Sequence, residues 1–161
     1  MKIREYSRRK NRYRTIPNRY IPQHLSSKDK QLQLKMLKRS RRMYKNKKYF
    51  TRKKVASFKN KKSSHVQNAE RIYGVKNIIP SKELARKTGC SLNALNQIVK
   101  KGEGAYYSSG SRPNQTARSW GLARLASSVT GGNAAIVDFH ILKDGCDHKK
   151  KAYLLANKRM K

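Results

Sequence analysis

Acidic residues are scarce in this chain: 8 Asp and Glu stand against 41 Lys and Arg, a formal net charge of +33 over 161 residues. A small soluble domain needs a net charge of only about 2–8 to stay in solution. With every carboxylate paired, most of the cations still lack an internal counter-charge, and a compact particle in low salt repels itself. A bound polyanion relieves that repulsion. The scarcity of acids thus implies an anionic partner and leaves little material for acid–base chemistry.

Cysteine is nearly absent. Cys90 and Cys146 do not make a disulfide framework. Whether they pair is open at this level: synthesis in a reducing compartment argues against a bond and suits Cys90 to the role of a small buried apolar residue. No apolar run approaches the roughly 18 residues of a membrane span, and the opening Met1-Lys2-Ile3-Arg4 runs into charge rather than into a signal-type apolar stretch. The expectation is a soluble chain without membrane insertion.

Catalytic and metal constellations are missing as well. After residue 62 the acids are Glu70, Glu83, Glu103, Asp138, Asp144 and Asp147, and no two share an apolar setting that would drive their pKa values apart. Cys146-Asp147-His148, with Cys90 and His140 elsewhere, lacks the paired spacing of a zinc site. Neither His140 nor His148 stands in a pattern that marks Cys146 as a nucleophile. The reading is a non-enzyme without metal, cofactor or small-molecule substrate.

What is there is lopsided. Residues 1–62 hold 24 Lys and Arg against Glu5 and Asp29. This reads as a basic extended arm ahead of a more ordinary domain at 63–161. In residues 1–24 arginines alternate with Tyr6, Tyr13 and Tyr20, while Pro17 and Pro22 exclude a continuous helix. Arginine between tyrosines suits phosphate contacts together with stacking. Ser26-Ser27-Lys28-Asp29 has the form of a capping box opening one amphipathic helix near 27–44, with Leu25, Leu32, Met36 and Met43 towards one face. A Lys-rich linker to residue 62 carries Tyr49, Phe50, Val55 and Phe58, which suit it to lying along a partner. The candidate polyanion or partner contacts are Arg8, Arg9, Lys10, Arg12, Arg14 and Arg19 in the arm, Arg39, Arg41 and Arg42 on the helix, and Lys47, Lys48, Arg52, Lys53 and Lys54 beyond it.

The fold class expected is all-α: a small helical domain with a helix-turn-helix-like tri-helical unit at 64–101. In that unit Ala85 is small where two helices meet, Gly89 serves the turn, and Leu84, Cys90, Leu95 and Ile98 fill the space between them. Docked in the usual way, Ser91, Asn93, Asn96 and Gln97 face a nucleic-acid groove, and Asn and Gln suit adenine edges. A Gly/Ser-rich loop at 102–113 follows, with Ser108, Ser109, Ser111, Arg112 and Arg118 as a candidate anion loop. Helices are expected near 115–130, 134–143 and 149–158. The second of these is ambiguous, because Val137, Phe139 and Ile141 also alternate as a strand does.

Arg19-Tyr-Ile-Pro, Leu25-Ser-Ser-Lys-Asp-Lys, Tyr49-Phe-Thr-Arg52, Lys82-Glu-Leu-Ala-Arg-Lys-Thr-Gly-Cys, Gly104-Ala-Tyr-Tyr-Ser-Ser-Gly-Ser-Arg-Pro-Asn-Gln-Thr and Thr130-Gly-Gly together resemble an uncharacterised basic protein family of the nucleocytoplasmic large DNA viruses, including those of algae. The resemblance implies a virion protein made in the host cytoplasm and brings no assigned activity or site residues. Two functions then compete. In the first, a minor capsid or cement protein bridges acidic virion neighbours through its arm. In the second, a genome-condensing protein binds double-stranded DNA through the arm and the helix-turn-helix-like unit.

Overall fold

The computed structural model describes residues 16–161 and is all-α. After a 3-10 turn at Asn18–Tyr20, eight α-helices follow among the described residues: α1 Ser27–Lys45, α2 Ser64–Tyr73, α3 Lys82–Thr88, α4 Leu92–Ser108, α5 Ala117–Val129, α6 Asn133–Val137, α7 Phe139–Gly145 and α8 Lys151–Met160. Local chemistry sets most of their ends. Ser81 and Ser91 cap α3 and α4 by accepting from Leu84 N and Ala94 N, and Gly74 and Gly89 close α2 and α3 in the left-handed conformation. Thr116 and Ser119 form a reciprocal capping box at α5.

The box expected at α1 is built differently. Ser26 Oγ accepts from Asp29 N at 3.2 Å, as the pattern requires. The Asp29 carboxylate turns instead to Ser57, accepting from its backbone N at 2.9 Å and its hydroxyl at 2.5 Å. Ser57 Oγ in turn accepts from Ser26 N at 3.0 Å. A residue 28 positions on thus completes the cap. These bonds hold the Asp29 carboxyl below its ordinary pKa, Ser57 being the main cause.

The main core joins α2 to α8. Leu84, Leu95, Ile98, Val99, Leu125, Ala126, Val129, Leu142, Ala152 and Ala156 are its sealed members. The α4–α5 contact is its tightest seam. A Cβ placed on Gly102 would stand 2.6 Å from the Gly121 Cα, and one on Gly121 would stand 2.6 Å from Val99 O. Glycine on both helices lets the backbones touch. This corrects the expected loop at 102–113: Gly102 and Gly104 belong to α4, which runs on to Ser108. Only Ser109 onward is loop. Packing against α5 outweighs the glycines' poor helix propensity.

Residues 134–145 are helical, and the strand alternative falls away. The helix is broken in two at Asp138, the C-cap of α6 and the N-cap of α7. The carboxylate there is fully buried. It takes a two-pronged ion pair from Arg124, Nε at 2.9 Å and Nη2 at 2.7 Å, together with Ser128 Oγ at 2.8 Å. Lys101 Nζ of α4 stands 3.3 Å away. Burial raises this carboxyl's pKa, but the hydrogen bonds from Arg124 and Ser128 outweigh it, and the net shift is downward.

Residues 16–62, read from the sequence as part of an extended arm, fold onto this body. Tyr20, Leu25, Leu37 and Val55 are buried, and Leu25, Met36 and Val55 form a second small core flanked by Phe50 and Phe58. Phe50, Val55 and Phe58 of the Lys-rich linker thus find their partner inside the chain, while Tyr49 stays exposed. Asn114, at φ 63°, clamps the linker: its Oδ1 accepts from Val55 N at 2.7 Å, and its Nδ2 donates to Val55 O at 3.2 Å and Phe58 O at 3.1 Å. Arg8, Arg9, Lys10, Arg12 and Arg14 lie outside the described residues.

Candidate nucleic-acid interface

The tri-helical unit forms as its spacing requires. Leu84, Cys90, Leu95 and Ile98 are buried between α3 and α4, and the Gly89 turn is held at φ 80°. A Cβ on Gly89 would stand 2.3 Å from Lys150 Cβ, so this position excludes a side chain on two counts. The turn is also fastened to the α7–α8 junction. Cys90 and Cys146 are joined by a disulfide, flanked by Ser91 N donating to Gly145 O and Asp147 N donating to Gly89 O, each at 2.8 Å.

This arrangement leaves the solvent side of α4 open. With 3.6 residues per turn, Asn93, Asn96, Gln97 and Lys100 share the face opposite the buried Leu95, Ile98 and Gly102, and all four are exposed. Ser91 is exposed too, but its hydroxyl is engaged in capping α4. Along one edge of this face, α4 and α7 form an open cleft of about 680 Å³ lined by Ala94, Gln97, Lys101, His140, Ile141 and Asp144, among others. Lys82, Arg86 and Lys87 on α3, and Lys149 and Lys150 beside the turn, are exposed cations around the same unit.

The basic residues expected on the arm divide by environment. Arg19, Arg39, Arg42, Lys47, Lys48, Lys53 and Lys54 are exposed. Arg41 is half-buried, its Nε donating to Ser109 O at 2.8 Å. Arg52 departs from the expectation altogether. It is 7% exposed and donates from Nη1 to Ser40 Oγ and Tyr106 O and from Nη2 to Ser111 Oγ, each at 2.8 Å. Its guanidinium fork reaches three neutral oxygens that a lysine could not span, and it sits over the Tyr106 ring. Arg52 organises the interior. The one sequence signal was its place between Phe50 and Val55, apolar residues that need covering.

The same contacts correct the expected anion loop. Ser111 is buried and accepts from Arg52, Ser109 O accepts from Arg41, and Ser108 lies in α4. The chain's own guanidinium groups occupy the loop. Arg112 stays exposed, and exposed Arg118 lies 3.7 Å from Glu103.

Five ion pairs connect acids and bases among the described residues, using Lys62, Lys87, Lys101, Arg118 and Arg124. With 8 Asp and Glu against 41 Lys and Arg, carboxylates are too few to pair most of the positive charge. The cysteine-centred alternatives do not assemble: Cys146 is bonded to Cys90, and His148 stacks on Tyr153 with ring centroids 3.9 Å apart. Among the described residues no group of three His, Cys, Asp or Glu stands close enough to hold a metal ion, and no helix is long and apolar enough to cross a membrane.

An all-α body that presents a polar helix face inside a cationic surface defines the class. Residues 17–145 match the model of a family described as one of unknown function, DUF5824, and the chain belongs to that family. No curated protein and no solved structure matches it.

Proposed function

We propose that this chain is a non-enzymatic nucleic-acid-binding protein in which the first two turns of α4 face a duplex groove and the surrounding Lys and Arg contact phosphates. The observation that carries this reading is the shared exposure of Asn93, Asn96, Gln97 and Lys100 on the second helix of the helix-turn-helix-like unit, in a chain of net charge +33. Asn and Gln supply paired donors and acceptors for base edges, and Lys100 supplies charge for a phosphate.

Salt titration of duplex DNA binding tests it. With about eight phosphates neutralised, log K against log[salt] falls with a slope near −7. A flat dependence sinks the reading. Base readout is a separate matter: Asn96→Ala lowers the preference for a selected sequence over random duplex, and an unchanged ratio removes readout while leaving phosphate binding in place.

A second reading makes the chain a minor capsid or cement protein in the virion of a large DNA virus, with acidic capsid neighbours as the polyanion. Its support is the family resemblance and the apolar pair Ile136 and Val137, which α6 leaves 44% and 61% exposed and which nucleic-acid binding does not use. Virions fractionated by layer separate the two readings. A fixed, symmetry-related copy number in the shell supports the second, and release with the genome supports the first.

A further inference from the structure

At the end of α1, three tyrosines from distant parts of the chain come together. Tyr44 lies in the last turn of α1, Tyr49 just beyond it, and Tyr107 near the end of α4. Ring centroids are 6.1 Å apart for Tyr44 and Tyr49 and 5.0 Å for Tyr49 and Tyr107, and Tyr107 meets the buried Tyr106 edge-on at 5.1 Å. The outer rings are not core: Tyr49 is 68% exposed and Tyr44 37%. Burial alone does not explain an aromatic row left open to water. Gly104, one turn before Tyr107, lies beside the Tyr44 hydroxyl and adds no side chain to cover it.

Among the described residues, the stretch of chain that carries Tyr44 and Tyr49 has one sign of charge. The sequence holds no Asp or Glu between Asp29 and Glu70, and Arg42, Lys47 and Lys48 are exposed on either side of Tyr44 and before Tyr49. Glu103, the nearest acid along α4, stands by Arg118 instead. Exposed aromatic faces bordered by cations are the recognition chemistry of unpaired bases: rings stack on the bases while the cations follow the phosphates. A duplex keeps its base faces inside its own stack and cannot use such a row.

We propose that Tyr44, Tyr49 and Tyr107 form a stacking platform for single-stranded nucleic acid, distinct from the α4 face. The inference rests on the nucleic-acid reading above but uses different residues and a different form of ligand.

The test compares wild-type affinities, at one salt concentration, for a 20-nucleotide oligo(dT), an abasic oligomer of equal length, and a duplex. The platform requires oligo(dT) to bind at least five-fold more tightly than the abasic strand, which has the same phosphates and no bases. Tyr44→Ala/Tyr49→Ala, with its fold confirmed by an unchanged circular-dichroism spectrum, should lose that advantage while duplex affinity changes less than two-fold. Tyr49→Trp should retain or increase it. Equal wild-type binding of oligo(dT) and the abasic strand overturns the proposal without any variant, as does an unchanged advantage in the double variant. Loss of duplex binding in the wild type with the oligo(dT) advantage intact overturns the α4 reading and leaves the platform standing.

Discussion

The Arg52 guanidinium lies 3.8 Å from the centroid of the Tyr106 ring, while Tyr106 gives its carbonyl oxygen to Arg52 Nη1 and its hydroxyl oxygen to Arg52 N. A buried cation is thus held by a π face and neutral oxygens. Burial lowers its pKa, yet guanidinium starts so high that it stays charged. The fork joins α1 through Ser40, α4 through Tyr106 and the following loop through Ser111.

Arg52→Ala is therefore expected to lower the unfolding free energy by about 3 kcal/mol, since several charge-assisted bonds and a buried cation–π contact go together. Arg52→Lys should recover less than half of that, because an ammonium cannot span the three oxygens. Tyr106→Phe keeps the ring and removes only the acceptor for Arg52 N, at about 1 kcal/mol. Urea unfolding of the three variants ranks them, and wild-type stability in Arg52→Lys contradicts the fork.

Gly102 and Gly121 make the second prediction. In an exposed helix Gly→Ala stabilises by up to about 1 kcal/mol through propensity. Here the added methyl meets backbone on the facing helix at 2.6 Å from either side. Each substitution should instead destabilise by about 1–3 kcal/mol as α4 and α5 are forced apart. Thermal unfolding midpoints should fall for both variants, and Gly104→Ala serves as control, its nearest neighbour outside the helix lying 3.8 Å away.

These two cases mark how far the sequence could be read. Helix ends at Ser81, Gly74 and Gly89 were legible because caps and left-handed glycines act within a few residues. The exposure of Asn93, Asn96 and Gln97 was legible because helical period fixes the face opposite Leu95 and Ile98. The Gly102–Gly121 contact and the clamp of Asn114 on Val55 join positions distant in sequence, and neither glycine nor asparagine signals its partner. Among many interchangeable cations, the place of Arg52 between Phe50 and Val55 was too weak a signal to mark it as the one to be taken inside, since Lys53 and Lys54 share it and stay exposed. The aromatic row was hidden for the same reason, since Tyr107 meets Tyr49 only once α1 lies beside α4.

Asp138 makes stability depend on pH. Its folded-state pKa lies below the ordinary value, burial being outweighed by the bonds from Arg124 and Ser128. The stability it contributes is present above the unfolded value of about 4 and is lost as pH falls through that value towards the folded one. Asp29, lowered by Ser57, acts in the same direction. At pH 7 Asp138→Asn should cost about 3 kcal/mol by leaving Arg124 without its counter-charge. Between pH 5 and pH 3 the gap between wild type and variant should narrow; a constant gap places the effect elsewhere.

The Cys90–Cys146 bond gives the last prediction. It closes a loop spanning 56 positions, for which loop-entropy arguments give about 4 kcal/mol of stabilisation. Adding dithiothreitol should lower the unfolding midpoint of the wild type and leave Cys90→Ala/Cys146→Ala unmoved. The effect on binding should be smaller than the effect on stability. The bonds from Ser91 N to Gly145 O and from Asp147 N to Gly89 O run between backbone groups and survive reduction, so the first turn of α4 keeps its place against α7. Duplex affinity well below the unfolding midpoint should therefore change less than two-fold on reduction. A large loss of affinity from a still-folded reduced protein would mean that the disulfide, rather than these backbone bonds, sets the orientation of α4.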